Sequence, residues 1–330
     1  MSDVAKLGFQ IDSAPLRRAG KDLDNFSTKS GMAGGAATKL GATSKAGFAK
    51  VAVAAAAAYA AVRVLGGSIT TIAQFDSSMA KLGAISGATT EDLKAMRDVA
   101  KDLGSATEFS AKQASDGLTF LAMAGFSVRE SIAAIPSVLD LATVSGMGLA
   151  QAADTASNIM SGFGISADNA ANVSDVLAAA SSRANTTVSE LGQAMSTVAP
   201  ISSSLGIGLQ DTAAAIGIMS DNGIKGERAG TALRGTLASL AKPTTAAVDV
   251  LNKLGLTIDD VNPATNQLSD IMAKLGDSGL NTADAFEVFG REAASGAIKL
   301  MEGSQRLRDF TKELGNVDGE AKKMAKTIRV

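Results

Sequence analysis

A helical unit recurs at intervals of about forty residues through the middle of this chain, and this period constrains the fold more than any other feature. The units begin at Ser110, Gly148 and Thr187. Each continues as an apolar helical stretch, a break that contains glycine and a second helical stretch. Because one helical hairpin cannot bury its own apolar face, the repeat predicts hairpins that stack on each other or on further copies of the chain.

Local signals fix where several of these helices begin. A capping box pairs an N-cap hydroxyl with a side chain three residues later that reaches back to the N-cap. The sequence offers three such pairs: Ser110 with Gln113, Ser127 with Glu130, and Thr187 with Glu190. Two prolines are expected to modify the helices, Pro136 by a kink and Pro200 by ending or bending its helix.

Composition favours a mainly α fold with thin helices. The chain is 46% apolar, but it has 11 Phe, one Tyr and no Trp, so small aliphatic residues must do the packing. Alanine forms helices well but buries little surface, so each helix must lie close to a neighbour. We expect stacked helical hairpins or a helical bundle with Gly-rich breaks, and a short N-terminal strand is open for residues 6–12.

The chain divides into four predicted regions. Residues 1–65 form a basic, Ala/Gly-rich arm and helix, and residues 66–242 form the helical-repeat core. Residues 243–304, which begin at Pro243, form a second helical subdomain. Residues 305–330 form a charged helical tail that stops without a capping signal, as a truncated chain would.

Most catalytic and metal-binding chemistry is excluded by composition. The chain has no histidine and no cysteine, so it lacks the commonest general base, the usual zinc ligands and any thiol nucleophile. The pairs Gly146/Gly148 and Gly206/Gly208 lack the third glycine of the dinucleotide-binding fingerprint. The scattered glutamates show no spacing typical of the two catalytic carboxylates of a glycosidase. We therefore predict no catalytic residue, no cofactor and no metal, and a protein that is not an enzyme.

Glycines and phenylalanines at the breaks are the candidate functional residues, and their predicted role is packing. Glycine lets the backbone turn sharply or lets two helices approach closely, and phenylalanine anchors a break to the core. Gly226 and Gly230 are expected to provide such a turn and a close approach, and Phe289 a core anchor whose crowding Gly290 relieves. The full set is Gly125, Phe126, Phe163, Gly164, Gly223, Gly226, Gly230, Phe289 and Gly290.

Charge is distributed unevenly along the chain. Residues 1–65 carry nine cations and four carboxylates, whereas Arg183 is the one basic residue between Arg129 and Lys225. This pattern argues against specific nucleic-acid binding by the repeats. The Ala/Val run from Val51 to Val62 falls short of the about twenty residues that cross a bilayer, so it indicates a self-associating helix or a transient membrane contact.

Short segments in the order of the chain resemble the core region of phage tail tape-measure proteins. No single segment is specific, but together they cover most of residues 75–300. They include residues 75–80, 87–93, 103–107, 120–127 (FLAMAGFS), 138–142, 163–165, 173–178, 222–234 (NGIKGERAGTALR), 254–256 and 288–291 (VFGR).

The resemblance implies a structural protein of the virion tail, assembled in the host cytoplasm. Such a protein lies in the tail lumen, sets tail length as tube subunits polymerise and leaves through the tip at infection. The partners that the resemblance implies are other copies of the chain, the tail tube protein, tail assembly chaperones, and tail tip or baseplate proteins, with a transient contact to the host membrane.

Two other functions remain open from the sequence alone. The Ala-rich hairpins and residues 51–62 are compatible with a membrane-active, pore-forming protein that assists genome delivery. A soluble helical-repeat module that binds another protein is the second alternative.

Overall fold

The computed structural model describes residues 71–329, and this part of the chain is helical without strands, as expected. Helix α1 covers residues 71–86. The next helices are α2 (Thr90–Ala106), α3 (Ala111–Met123), α4 (Val128–Ser145), α5 (Leu149–Phe163), α6 (Ala170–Arg183), α7 (Val188–Ser204) and α8 (Leu209–Asp221). The last are α9 (Glu227–Ala241), α10 (Thr245–Lys253), α11 (Leu268–Asp277), α12 (Thr282–Glu302), α13 (Ser304–Leu314) and α14 (Glu320–Ile328).

The predicted repeat is confirmed by the positions of the helix starts. Ser110, Gly148 and Thr187 are the N-caps of α3, α5 and α7, the first helices of three successive hairpins. A fourth start follows after the same interval at Gly226, the N-cap of α9. Unlike the other three starts, Gly226 has no Gln or Glu three residues later, so the sequence did not mark it.

All three predicted capping boxes are present. In the box at Ser127, the backbone N–H of Ser127 donates to Glu130 Oε2 at 2.7 Å, and the N–H of Glu130 donates to Ser127 Oγ at 3.3 Å. The boxes at Ser110 and Thr187 have the same reciprocal bonds. A further box, formed by Thr89 and Asp92, begins α2.

Of the two effects expected of Pro200, ending or bending its helix, the structure excludes the first. Pro200 lies inside α7, which continues to Ser204, and Pro136 lies inside α4. A proline removes one backbone hydrogen bond, but α7 packs between α5 on one side and α9 on the other. Contacts on both sides therefore hold the last turn in helical geometry.

The hairpins stack into two layers. Helices α3, α5, α7, α9 and α12 pack side by side in this order in one layer, and α4, α6 and α8 form the second. Helix α13 continues the second layer beside α8, and α14 returns across α4 and α6. Helices α10 and α11 pack on α12.

Residues Thr71–Val330 form one compact unit. The predicted boundaries after residues 242 and 304 fall inside this unit and stay predictions. The predicted boundary after residue 65, the basic arm, the strand at residues 6–12 and the run from Val51 to Val62 lie outside the described residues.

Glycines facing small residues bring the helices of the first layer close together, as the alanine-rich composition predicts. A Cβ added to Gly230 of α9 would lie 2.4 Å from the carbonyl oxygen of Ala194 in α7. Cβ atoms on Gly162 and Gly235 would lie 2.7 Å and 2.9 Å from the Cβ atoms of Ala199 and Ala293. We call these contacts the small-residue seam. The seam lets backbones approach where large side chains are scarce.

The core also contains hydroxyl groups that lack partners. The Oγ atoms of Ser115, Ser131, Ser174, Ser202 and Ser220 are buried and make no hydrogen bond within the described structure. These serines lie in α3, α4, α6, α7 and α8, so the cost is spread along the stack. Each unpaired buried hydroxyl costs on the order of 1–3 kcal/mol.

Ser131→Ala is therefore expected to raise the free energy of unfolding by about 1 kcal/mol, because it removes an unpaired buried group and improves helix propensity. Urea unfolding followed by circular dichroism measures the change. Ser137→Ala in the same helix is the matched control, since Ser137 Oγ donates to the carbonyl of Ala134 at 2.8 Å and should give no such gain. A Ser131→Ala chain less stable than the wild type would contradict the expectation.

Candidate interaction surfaces

The segment at residues 222–234 forms the turn into α9. Gly223 and Gly226 have φ of +82° and +56°, in the left-handed region that favours glycine, and Gly226 is the N-cap of α9. Gly230 follows one turn later and packs in the small-residue seam. The structure thus places the expected turn at Gly226 and the expected close approach at Gly230.

The segment at residues 288–291 lies in α12. Phe289 is buried in the core, and Gly290 has φ 72° and ψ 172°, which breaks the helix. A Cβ on Gly290 would meet no atom within 4 Å. The expectation that Gly290 relieves crowding is therefore wrong, because the position requires glycine for its backbone conformation and not for space.

These two segments, far apart in the sequence, meet at one cleft between α9 and α12. The cleft has a volume of about 470 Å³ and contains four exposed charged side chains, Glu227, Arg228, Arg291 and Glu292. None of the four forms an ion pair with another described residue. The remaining lining residues are Ile224, Thr231, Ala232 and Ser295. The arrangement offers both signs of charge to a binding partner.

A second groove, of about 560 Å³, lies where the turns of the second and third hairpins meet. Phe163 and Gly164 line it together with residues 206–210, and none of its lining residues is charged. Gly164 caps α5 in the left-handed conformation, with φ 66°. Gly125 and Phe126 form the turn between α3 and α4, where Phe126 packs against the core.

One buried carboxylate inside the stack was not predicted from the sequence. Asp175 lies in α6 among residues 173–180, all of which are buried. Its carboxylate accepts the backbone N–H groups of Gly319 and Ala321, each at 2.8 Å. Burial raises the pKa of Asp175, and the two N–H donors oppose that shift. A lone carboxylate in a continuous apolar stretch is itself a signal for a buried partner.

The Asp260 carboxylate is held by a local turn. Thr257 Oγ1 donates to it at 2.6 Å, the Thr257 N–H at 3.0 Å, and Lys274 Nζ at 3.2 Å. The hydrogen bond from the Thr257 hydroxyl, followed by the other two donors, lowers the pKa of Asp260 to about 2. Because the pKa falls on folding, this contact stabilises the turn above the unfolded-state pKa and is lost as the pH falls through about 2.

We therefore expect the Asp260 carboxyl to titrate near 2 in an NMR titration, with loss of protection at the Thr257 amide over the same range. Thr257→Val removes the hydroxyl donor and should move the midpoint upward. A wild-type midpoint at the ordinary value for aspartate would contradict the assigned contacts.

Within residues 71–329, no group of carboxylates is arranged to hold a metal ion. In that range no single helix is long and apolar enough to cross a membrane. Helices α4 and α5 reach that length and apolarity only as a pair bent by 115°.

Comparison with known proteins assigns the chain to a family. The model of a family described as phage-related minor tail protein matches residues 97–327, from α2 to α14. The chain belongs to this family. The resemblance to phage tail tape-measure proteins is confirmed with it.

Two curated relatives of this chain are named as tape measure proteins. The tape measure protein of Pneumococcus phage Dp-1 is 40% identical over 265 residues, which cover 78% of this chain and 23% of the relative. The probable tape measure protein of Escherichia phage P2 is 28% identical over 295 residues, which cover 86% of this chain and 36% of the relative. The chain thus spans only a minor part of either relative. No solved structure matches it.

Proposed function

We propose that this chain is the core region of a tail tape-measure protein, a structural ruler and scaffold in the tail lumen that sets tube length and leaves at infection. The family match over residues 97–327 carries the proposal. The hairpin stack supports it, because repeated helical units supply length in regular increments. The role requires no chemistry, so we propose no enzymatic activity.

The proposed partners follow from that location. They are other copies of the chain, the tail tube protein, tail assembly chaperones, and tip or baseplate proteins, met first in the host cytoplasm and then in the virion tail. A transient contact of the run from Val51 to Val62 with the host membrane belongs to the same proposal. Between Arg129 and Lys225 the chain has eight carboxylates and one cation, so this region would not adhere to DNA in the same tube.

Tail length in phage that carry in-frame changes in this gene tests the proposal. Removing helical sequence should shorten tails in proportion, and duplicating the same sequence should lengthen them. The duplication is the control for a deletion that merely prevents assembly. Normal tails of unchanged length in both variants would contradict a ruler.

A further inference from the structure

The last helix folds back over the second layer of the stack. Helix α13 packs on α8, and α14 lies across α4 and α6. The chain therefore returns from the end of the stack toward its first hairpin. We call residues 303–329 the C-terminal arm, and the surface under α14, which is formed by α4, α6 and Glu108, the arm groove.

The start of α14 is fixed by Asp175 and Arg183 of α6. The Asp175 carboxylate accepts the N–H groups of Gly319 and Ala321, which are the unsatisfied donors at the N-terminus of α14. Arg183 forms an ion pair with Glu320 at 3.2 Å. A carboxylate at a helix N-terminus also interacts favourably with the helix dipole.

The end of α14 is fixed by one arginine. Arg329 Nε lies 2.7 Å from Glu108 Oε2, and a terminal nitrogen lies 2.9 Å from Asp140 Oδ1. Its other terminal nitrogen donates to Thr143 Oγ1 at 2.8 Å. Thr143 in turn donates to Glu108, so the three acceptors form one connected cluster. This cluster connects the arm to α4 and to Glu108, which lies in the loop between α2 and α3.

Apolar burial holds α14 only weakly. Its buried side chains are Ala321 and Ala325, whereas α13 buries Leu307, Phe310 and Leu314. Burying an alanine methyl contributes much less than burying a leucine or phenylalanine side chain. The docking of α14 therefore depends on charge and hydrogen bonding, whereas the docking of α13 depends on its core side chains.

The charges on α14 and on the stack are complementary at both ends of the helix. Residues 320–329 carry four cations and one carboxylate. The carboxylates that α14 meets on the stack are Glu108, Asp140 and Asp175. The ion pairs of α14 are partly open to solvent, with side chains 15% to 40% exposed, so they weaken as salt rises. The contacts of α14 should thus respond to ionic strength more than those of any helix in the stack.

We propose that the arm groove is a reversible docking site for a short basic helix, that α14 is its occupant in the closed protein, and that release of α14 permits the hairpin stack to open. The groove recognises a helix that presents free N-terminal N–H groups to Asp175 and a guanidinium to Glu108 and Asp140. The docking stands on its own contacts, while its use in an extended ruler rests on the proposed function.

Hydrogen–deuterium exchange read by mass spectrometry tests the docking on the full chain. Raising NaCl from about 0.05 M to about 1 M should accelerate exchange in α14 about tenfold, while α5 and α7 change little. Asp175→Ala should give the same acceleration at low salt, because it removes the acceptor for both N–H groups of α14. Asp175→Asn retains one carbonyl acceptor, so its exchange rate in α14 at low salt should lie between those of the wild type and Asp175→Ala.

Two further variants keep the test decisive. Asp154→Ala is the matched control, since Asp154 is an exposed carboxylate of α5 outside the arm groove, and it should leave α14 protected. Arg329→Ala removes the contacts at the other end of α14 and changes no residue of the stack, so it tests the same proposal should Asp175→Ala fail to fold. It should also accelerate exchange in α14.

The proposal is overturned if α14 exchanges at the rate of α5 and α7 at every salt concentration, or if Arg329→Ala leaves its exchange unchanged. Either result would show that α14 is an integral part of the stack. These measurements use purified protein and do not depend on tails. Failure of the ruler proposal would be seen in tail length, so it can be distinguished from failure of the docking proposal.

Discussion

Gly230→Ala should destabilise the protein by about 3 kcal/mol, the upper end of the usual cost of overpacking. The added Cβ would lie 2.4 Å from the Ala194 carbonyl oxygen and 2.8 Å from its Cα, both backbone atoms of α7. A backbone cannot rotate away as a side chain can, so α7 and α9 must separate. That separation would open the seam at the centre of the stack. Thermal and urea unfolding of the purified chain measure the loss.

Gly276→Ala is the matched control for this substitution. Gly276 also lies in a helix, but its added Cβ would meet Met301 at 3.7 Å, an ordinary contact. Alanine at this position should be neutral or stabilise the protein by up to about 1 kcal/mol through helix propensity. Equal stability of the two variants would contradict a seam that depends on close backbone approach.

Removing one hairpin, residues 148–186, should shorten the tail by about 58 Å if the sequence acts as an extended helix that rises about 1.5 Å per residue. The same hairpin kept in the stack would contribute only about 10 Å, one spacing between packed helices. These values differ enough to separate by electron microscopy of many tails. The opening of the stack predicts the larger change.

Duplication of residues 148–186 is the control for the deletion, and should lengthen tails by the same amount. A change near 10 Å in both directions would mean that the hairpins persist in the tube. In that case the ruler proposal would survive, but the opening of the stack would not.

The repeat was predictable because its signals are local. Ser110, Ser127 and Thr187 are followed three residues later by Gln113, Glu130 and Glu190, and a capping box needs no information beyond those four positions. The fourth hairpin was missed because Gly226 has Ala229 three residues later, whereas Gly148 has Gln151. Pro200 does not end its helix because α5 and α9 pack against that helix, and a local pattern does not contain these contacts.

The interaction surfaces were less predictable because they join distant segments. Periodicity assigns a residue to a face of its own helix, but it does not say which helix lies opposite. Asp175 and Gly319 are 144 residues apart, and only the folded chain shows that one caps the other. Likewise Arg228 and Arg291 belong to two segments that the sequence singled out, yet their common cleft emerges only from the packing of α9 on α12.

A distance between α3 and α7, measured in the free protein and again in assembled tails, would show whether the stack opens. The chain has no native cysteine, so Met123→Cys and Ser196→Cys can carry two spin labels at exposed positions. In the closed stack, α5 lies between the two helices, which places the labels about 20 Å apart, two helix spacings. Along an extended helix they would be about 110 Å apart. Pulsed dipolar spectroscopy should detect the short distance in purified protein and lose it in tails, whereas the same short distance in tails would contradict an opened ruler.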